Sequence, residues 1–133
     1  MQLAVLYLTT AAIFLIADAL MLRTVMAPLF ERHIKPIMLD DIRLGAAAGF
    51  YLFYIAGLIY LVSAPALAAN APLKALIGGA VLGAVAYGTF EVTSYAILRD
   101  WSLQMVVADT LWGTVLTGGA AWAGVVISRA LTS

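Results

Sequence analysis

Residues 73–127 read LKALIGGAVLGAVAYGTFEVTSYAIL, then RDWS, then LQMVVADTLWGTVLTGGAAWAGVVI. Two long apolar stretches, Leu73–Leu98 and Leu103–Ile127, are thus joined by only Arg99-Asp100-Trp101-Ser102. At about 1.5 Å of rise per residue, roughly 20 apolar residues cross a bilayer as one helix. Each stretch is long enough, and so short a turn forces the two helices to lie side by side in opposite directions. Ser102 is placed to cap the second of them.

Before them in the chain, Leu44–Ala64 and Leu3–Leu22 are two more stretches of spanning length. Pro65, Asn70 and Pro72 fill the connection between the second and third spans. The first connection, residues 23–43, is long, and Asp41 is the expected cap of the second helix. Within it Pro28-Leu-Phe-Glu-Arg-His-Ile-Lys35 starts on proline and mixes apolar with charged residues, which predicts a short helix lying in the headgroup plane. Ala17-Asp18-Ala19 has the small-x-small form of a signal cleavage site. No Lys or Arg precedes the first apolar run, however, and its length is that of a full span. The expected architecture is an all-α membrane protein of four transmembrane helices in a compact antiparallel bundle, one domain over residues 1–133.

Composition agrees. The chain is 65% hydrophobic and 11% charged, against roughly 45–50% and 25% in a soluble domain. Seven basic and seven acidic residues cancel, so there is no basic surface for nucleic acid. With no Cys and a single histidine, His33, disulfides, thiol nucleophiles, iron–sulfur clusters and multi-histidine metal sites are excluded. No metal and no cofactor is expected. His33, among Glu31, Arg32 and Lys35, reads as a solvated headgroup contact.

Lys and Arg are retained on the cytoplasmic side. The first and third connections carry Arg23, Arg32, Lys35, Arg43 and Arg99, against Lys74 and Arg129 elsewhere. Both termini are therefore expected in the periplasm of a multi-pass inner-membrane protein.

Three carboxylates remain inside the spans: Asp18, Glu91 and Asp109. Each costs at least about 2.5–3.5 kcal/mol at mid-span, so each is expected to be paired or functional. Counting inward from Arg23, Arg99 and Asp100 places them roughly 7, 12 and 13 Å from the cytoplasmic ends of their helices. That is one level. Tyr51 and Tyr54 reach the same layer from the second helix. Helical phase adds Tyr87 and Ser94 beside Glu91, with Thr93 next to them in sequence, and Trp112 beside Asp109. Small residues favour close helix approach: Gly45-xxx-Gly49, Gly79-xxx-Gly83, Ala80-xxx-Ala84-xxx-Gly88, and Gly113, Gly118, Gly119 and Gly124. Plainer roles stand beside these. Asp18 could pair with Arg23, Glu91 and Asp109 could fix helix register through mutual hydrogen bonds, and the tyrosines and Trp112 could be packing or interface-belt residues. Three acids with no embedded Lys, Arg or His cannot all be ionised close together. A shared-proton cluster is expected, able to load a proton or cation, or to donate a proton to a lipid-like substrate.

At these residues the sequence resembles a bacterial integral membrane family called domain of unknown function 2177. The matching stretches are Phe50-Tyr-Leu-Phe-Tyr54-Ile-Ala-Gly57, Ala86-Tyr-Gly-Thr-Phe-Glu91-Val-Thr93 and Asp109-Thr-Leu-Trp112-Gly113-Thr114. The family pattern has Asp followed by Trp in the first helix and Tyr-Asp in the third, where this chain has Asp18-Ala-Leu-Met-Leu22 and Phe90-Glu91. The resemblance implies a four-helix inner-membrane protein without assigned activity, in a lipid setting.

Three functions fit. The leading one is a binding or transport module whose acid and tyrosine layer (Asp18, Tyr51, Tyr54, Tyr87, Glu91, Thr93, Ser94, Asp109, Trp112) holds a proton, cation or lipid-like amphiphile. The second is a membrane enzyme using a buried carboxylate as general acid/base on an acyl or isoprenoid substrate. The third is a structural or assembly subunit. Membrane lipids are the expected partners, with a lipid-like or small cationic ligand, and a homo-oligomer or a larger membrane complex are the candidate assemblies.

Overall fold

The computed structural model describes residues 1–41 and 43–132, and all regular structure among them is helical. Helix α1 (Gln2–Met21) passes through a π turn at Leu22–Met26 into α2 (Ala27–Ile34) and a closing 3₁₀ turn at Lys35–Ile37. Helix α3 (Leu44–Leu58) likewise passes through a π turn at Ile59–Ser63 into α4 (Ala64–Ala68). Helices α5 (Pro72–Ile97) and α6 (Leu103–Thr132) are uninterrupted. The four helical runs, Gln2–Ile37, Leu44–Ala68, Pro72–Ile97 and Leu103–Thr132, are each long and apolar enough to cross a membrane.

Both π turns have one cause. Pro28 and Pro65 each stand two residues beyond a π turn. A proline inside a helix lacks its N–H and presses on the carbonyl four residues earlier. A turn widened by one residue absorbs that clash and the helix continues. The first connection is consequently much shorter than residues 23–43. The segment around Pro28 is helical, but it continues α1 directly instead of following a loop. His33, expected in solvent, is half-buried, with its Nε2 shielded and without a hydrogen-bond partner among the described residues.

Pro65 also lies inside a helical run rather than in a connection. That run ends at Asn70, whose φ of 57° is left-handed. The Asn70 N–H donates to Leu67 O at 3.1 Å and the Ala71 N–H to Ala66 O at 2.9 Å. This is the Schellman arrangement, with asparagine in the position usually held by glycine. At the start of α6 the Met105 N–H donates to Ser102 Oγ at 3.1 Å, the expected cap. Asp41 caps nothing, since α3 begins after Arg43 without a side-chain cap.

Helix α6 is the hub, with its most extensive contacts to α5 and then α1. The α5 stripe Ala75, Gly79, Gly83 and Glu91 recurs every four or eight residues and is buried. A Cβ on Gly79 would stand 2.8 Å from Thr117 O, one on Gly83 would overlap Gly113 O, and one on Gly118 would stand 2.9 Å from Leu76 O. The two backbones therefore touch, and positions rise along α5 as they fall along α6. Helix α1 runs past α6 in the same opposed sense. Gln2 Nε2 donates to Thr132 Oγ1 at 3.1 Å, Thr10 sits on Gly124, and Trp112 reaches Asp18. Its buried face is Leu6, Thr10, Phe14 and Asp18, one turn apart.

Helix α3 departs from expectation. Among the described residues nothing lies within 4 Å of a Cβ added at Gly45 or Gly49, so this pair mediates no close approach among them. Residues 43–50 are exposed on every side. Only from Tyr51 onward does the helix engage the bundle, through Tyr51 and Tyr54 on Phe14 and the buried Ile55 and Leu58. Its run meets α5 mainly through the π turn and α4. The first half of α3 thus stands apart from α5.

Candidate functional site

The gap between α3 and α5 is a cavity of about 570 Å³. Its polar floor is Asp18, Tyr51, Tyr54, Tyr87 and Asp109. Its walls are Leu22, Met26, Phe30, Ala47, Phe50, Ala86 and Phe90, with Thr89. The Thr89 hydroxyl is already spent on Val85 O at 2.6 Å, so it behaves as part of the apolar wall. Phe50 and Phe90, both more than half exposed, form the rim.

Each floor residue is held by the packing beneath it. Asp18 ends the buried stripe of α1, and its Oδ1 accepts from Trp112 Nε1 at 3.0 Å, not from Arg23, which is exposed. Tyr51 lies beside Asp18, and the Tyr54 hydroxyl pairs with Thr117 Oγ1 at 3.1 Å. The Tyr87 ring occupies the space that a side chain at Gly113 would need, so the glycine is what admits this tyrosine. Its hydroxyl is buried without a hydrogen-bond partner among the described residues. Phe14, Tyr51, Tyr54 and Tyr87 form a continuous aromatic layer, with ring centroids 5.6–6.3 Å apart.

Glu91 neighbours Asp109 but does not line the cavity. It is completely buried, and its Oε1 accepts from Trp101 Nε1 at 2.9 Å while Oε2 has no partner among the described residues. A buried carboxyl oxygen left unpaired is costly, and here it stands next to a second acid. Trp101 is wedged between Phe30 and Phe90, at 5.8 and 5.5 Å between ring centroids.

Of the residues singled out from the sequence, Asp18, Tyr51, Tyr54, Tyr87 and Asp109 share the cavity. Trp112 positions Asp18 from behind. Glu91 and Ser94 are buried outside the lining, and Thr93 is exposed on another face of α5. Sequence reasoning missed Trp101, Thr117 and the wall Leu22, Met26 and Phe30. Two signals were present. A four-residue turn folds back over the last turns of α5, bringing an indole donor within reach of a buried acid. Pro28, inside the series Asp18, Leu22, Met26 and Phe30, also marks where the helix departs from a regular α-helix.

Among the described residues no group of three His, Cys, Asp or Glu side chains is arranged to hold a metal ion. The acids and phenols can bind a proton, a cation or a hydroxyl-bearing head, and the walls can hold a hydrocarbon chain. No curated protein and no solved structure matches the chain. Residues 3–126, which include every residue of the cavity, match the family described as "Predicted membrane protein (DUF2177)", and the chain belongs to that family of membrane proteins.

Proposed function

We propose that this protein is a membrane-embedded binding module that takes a lipid-like amphiphile into the cavity between α3 and α5. One observation carries the reading. A pocket of about 570 Å³ combines aliphatic and aromatic walls with a floor of two carboxyls and three phenols, and sites for small ligands are commonly 300–1,000 Å³, mostly apolar, with a few convergent polar groups. The head binds at the acid and tyrosine floor, and the chain lies between the apolar walls toward the Phe50–Phe90 rim. Binding would be the first half of any transport step.

The proposal extends to placement. The chain is one four-helix unit in the inner membrane, its termini periplasmic, supported by the five basic residues on one side against two on the other. Helix α2 lies at the cytoplasmic headgroups, supported by buried Leu29 and Ile34 opposite exposed Glu31, Arg32 and Lys35. The bare surface around Gly45 and Gly49 would suit a second copy in the bilayer.

The test is photolabelling in native membranes with a lipid carrying a diazirine near the end of its acyl chain. Labelled peptides should concentrate at Leu22–Phe30 and Phe50, and Ala86→Trp, which fills the cavity, should suppress them. Labelling spread evenly over the lipid-facing helices and indifferent to Ala86→Trp would overturn the reading.

A further inference from the structure

We infer that the occupant is a single-chain amphiphile with a monocationic ammonium head, entering from the bilayer past Phe50 and Phe90. This rests on the reading of the cavity as an amphiphile site and adds the charge of the head. Asp18 and Asp109 both line the floor, and among the described residues none lining the cavity is basic. Two carboxyls in an apolar surround are stable only when protonated or beside a cation, and an anionic head would add a third negative group to an already acidic layer. Asp18 is pinned by Trp112 and cannot swing out to solvent without breaking that hydrogen bond. A cationic head that reaches the floor therefore meets this carboxyl in place.

The aromatic layer points the same way. Tyr51, Tyr54 and Tyr87 are part of the floor, and aromatic faces attract a desolvated ammonium. The Tyr54 hydroxyl is engaged with Thr117, so this ring can offer its face to a head without surrendering a hydrogen bond. The volume suits one chain better than the two of a bilayer phospholipid. A lipid-soluble entrant is favoured because both rim residues are apolar and more than half exposed.

The experiment uses the full chain in nanodiscs of zwitterionic phosphatidylcholine and reads tryptophan fluorescence, since Trp112 contacts Asp18 directly. Hexadecyltrimethylammonium, hexadecanol and hexadecanoate are titrated separately. The trimethylammonium head has no N–H to donate, so its advantage is cation–π and charge attraction, and it should bind roughly 10-fold or more tighter than the alcohol, with the carboxylate weakest. In Asp109→Asn and Asp18→Asn the ammonium should lose most of this advantage, and Asp109→Glu should restore part of it. If alcohol or carboxylate binds as well as ammonium, the cationic head is wrong while the amphiphile site stands. An ammonium preference that survives both amide variants overturns its assignment to these two acids. Saturable binding of none of the three overturns both readings. Should the variants fail to fold, the order of the three ligands on the unaltered protein still decides.

Discussion

Trp101 Nε1 donates to Glu91 Oε1 at 2.9 Å, and this bond ties the turn between α5 and α6 to the one completely buried acid of the bundle. The indole also packs on Phe30 and Phe90. One side chain thereby fixes the α5–α6 turn, the end of the α1–α2 run and the rim of the cavity together.

Trp101→Phe should keep most of that ring packing and leave Glu91 without its donor. Stability should fall by about 1–3 kcal/mol, the usual cost of stranding a buried polar group. Glu91→Leu in the same background should recover part of the loss, because it removes the stranded acceptor. Thermal unfolding in a mild detergent checks both. An unchanged midpoint in Trp101→Phe would show that the bond contributes nothing.

The second pair is Trp112 with Asp18. A double-mutant cycle with Trp112→Phe and Asp18→Leu should give a coupling of roughly 0.5–3 kcal/mol, as groups in direct hydrogen-bond contact do. Strict additivity would mean that the two side chains do not meet.

Glycines should separate into two classes. Gly83→Ala places a methyl against the Gly113 carbonyl and should destabilise by about 1–3 kcal/mol, as overpacking does. Gly49→Ala meets open space and should stabilise the isolated chain by roughly 0.5–1 kcal/mol through helix propensity alone. Where membrane self-association uses that face, Gly49→Ala should instead weaken it, which single-molecule subunit counting would detect.

Orientation is tested in the Cys-free background. A cysteine at Ser133, beyond the described residues, should react with an impermeant thiol reagent in spheroplasts, and one at Asp40 only after lysis. The reverse pattern places the termini in the cytoplasm.

Four helices of membrane-spanning length follow from sequence alone, because in a bilayer every backbone polar group must be satisfied within the segment, and length and hydropathy report that directly. The Ser102 cap was legible for the same local reason. So was the candidate acid layer, since charge inside an apolar run is conspicuous. Tertiary structure decided what stands around those acids, and the first π turn shows why. On a regular α-helix Phe30 lies about 120° around from Asp18, because each residue turns the chain by about 100°. The π turn absorbs one residue and brings the two to within about 20°. Leu22, Met26 and Phe30 thereby become the wall above Asp18. Pro28 marks the disturbance in sequence, yet a proline can end, kink or widen a helix with equal local right. Which of these happens depends on what α2 can pack against, and its buried Leu29 and Ile34 and the nearby Trp101 are partners that only the folded chain supplies.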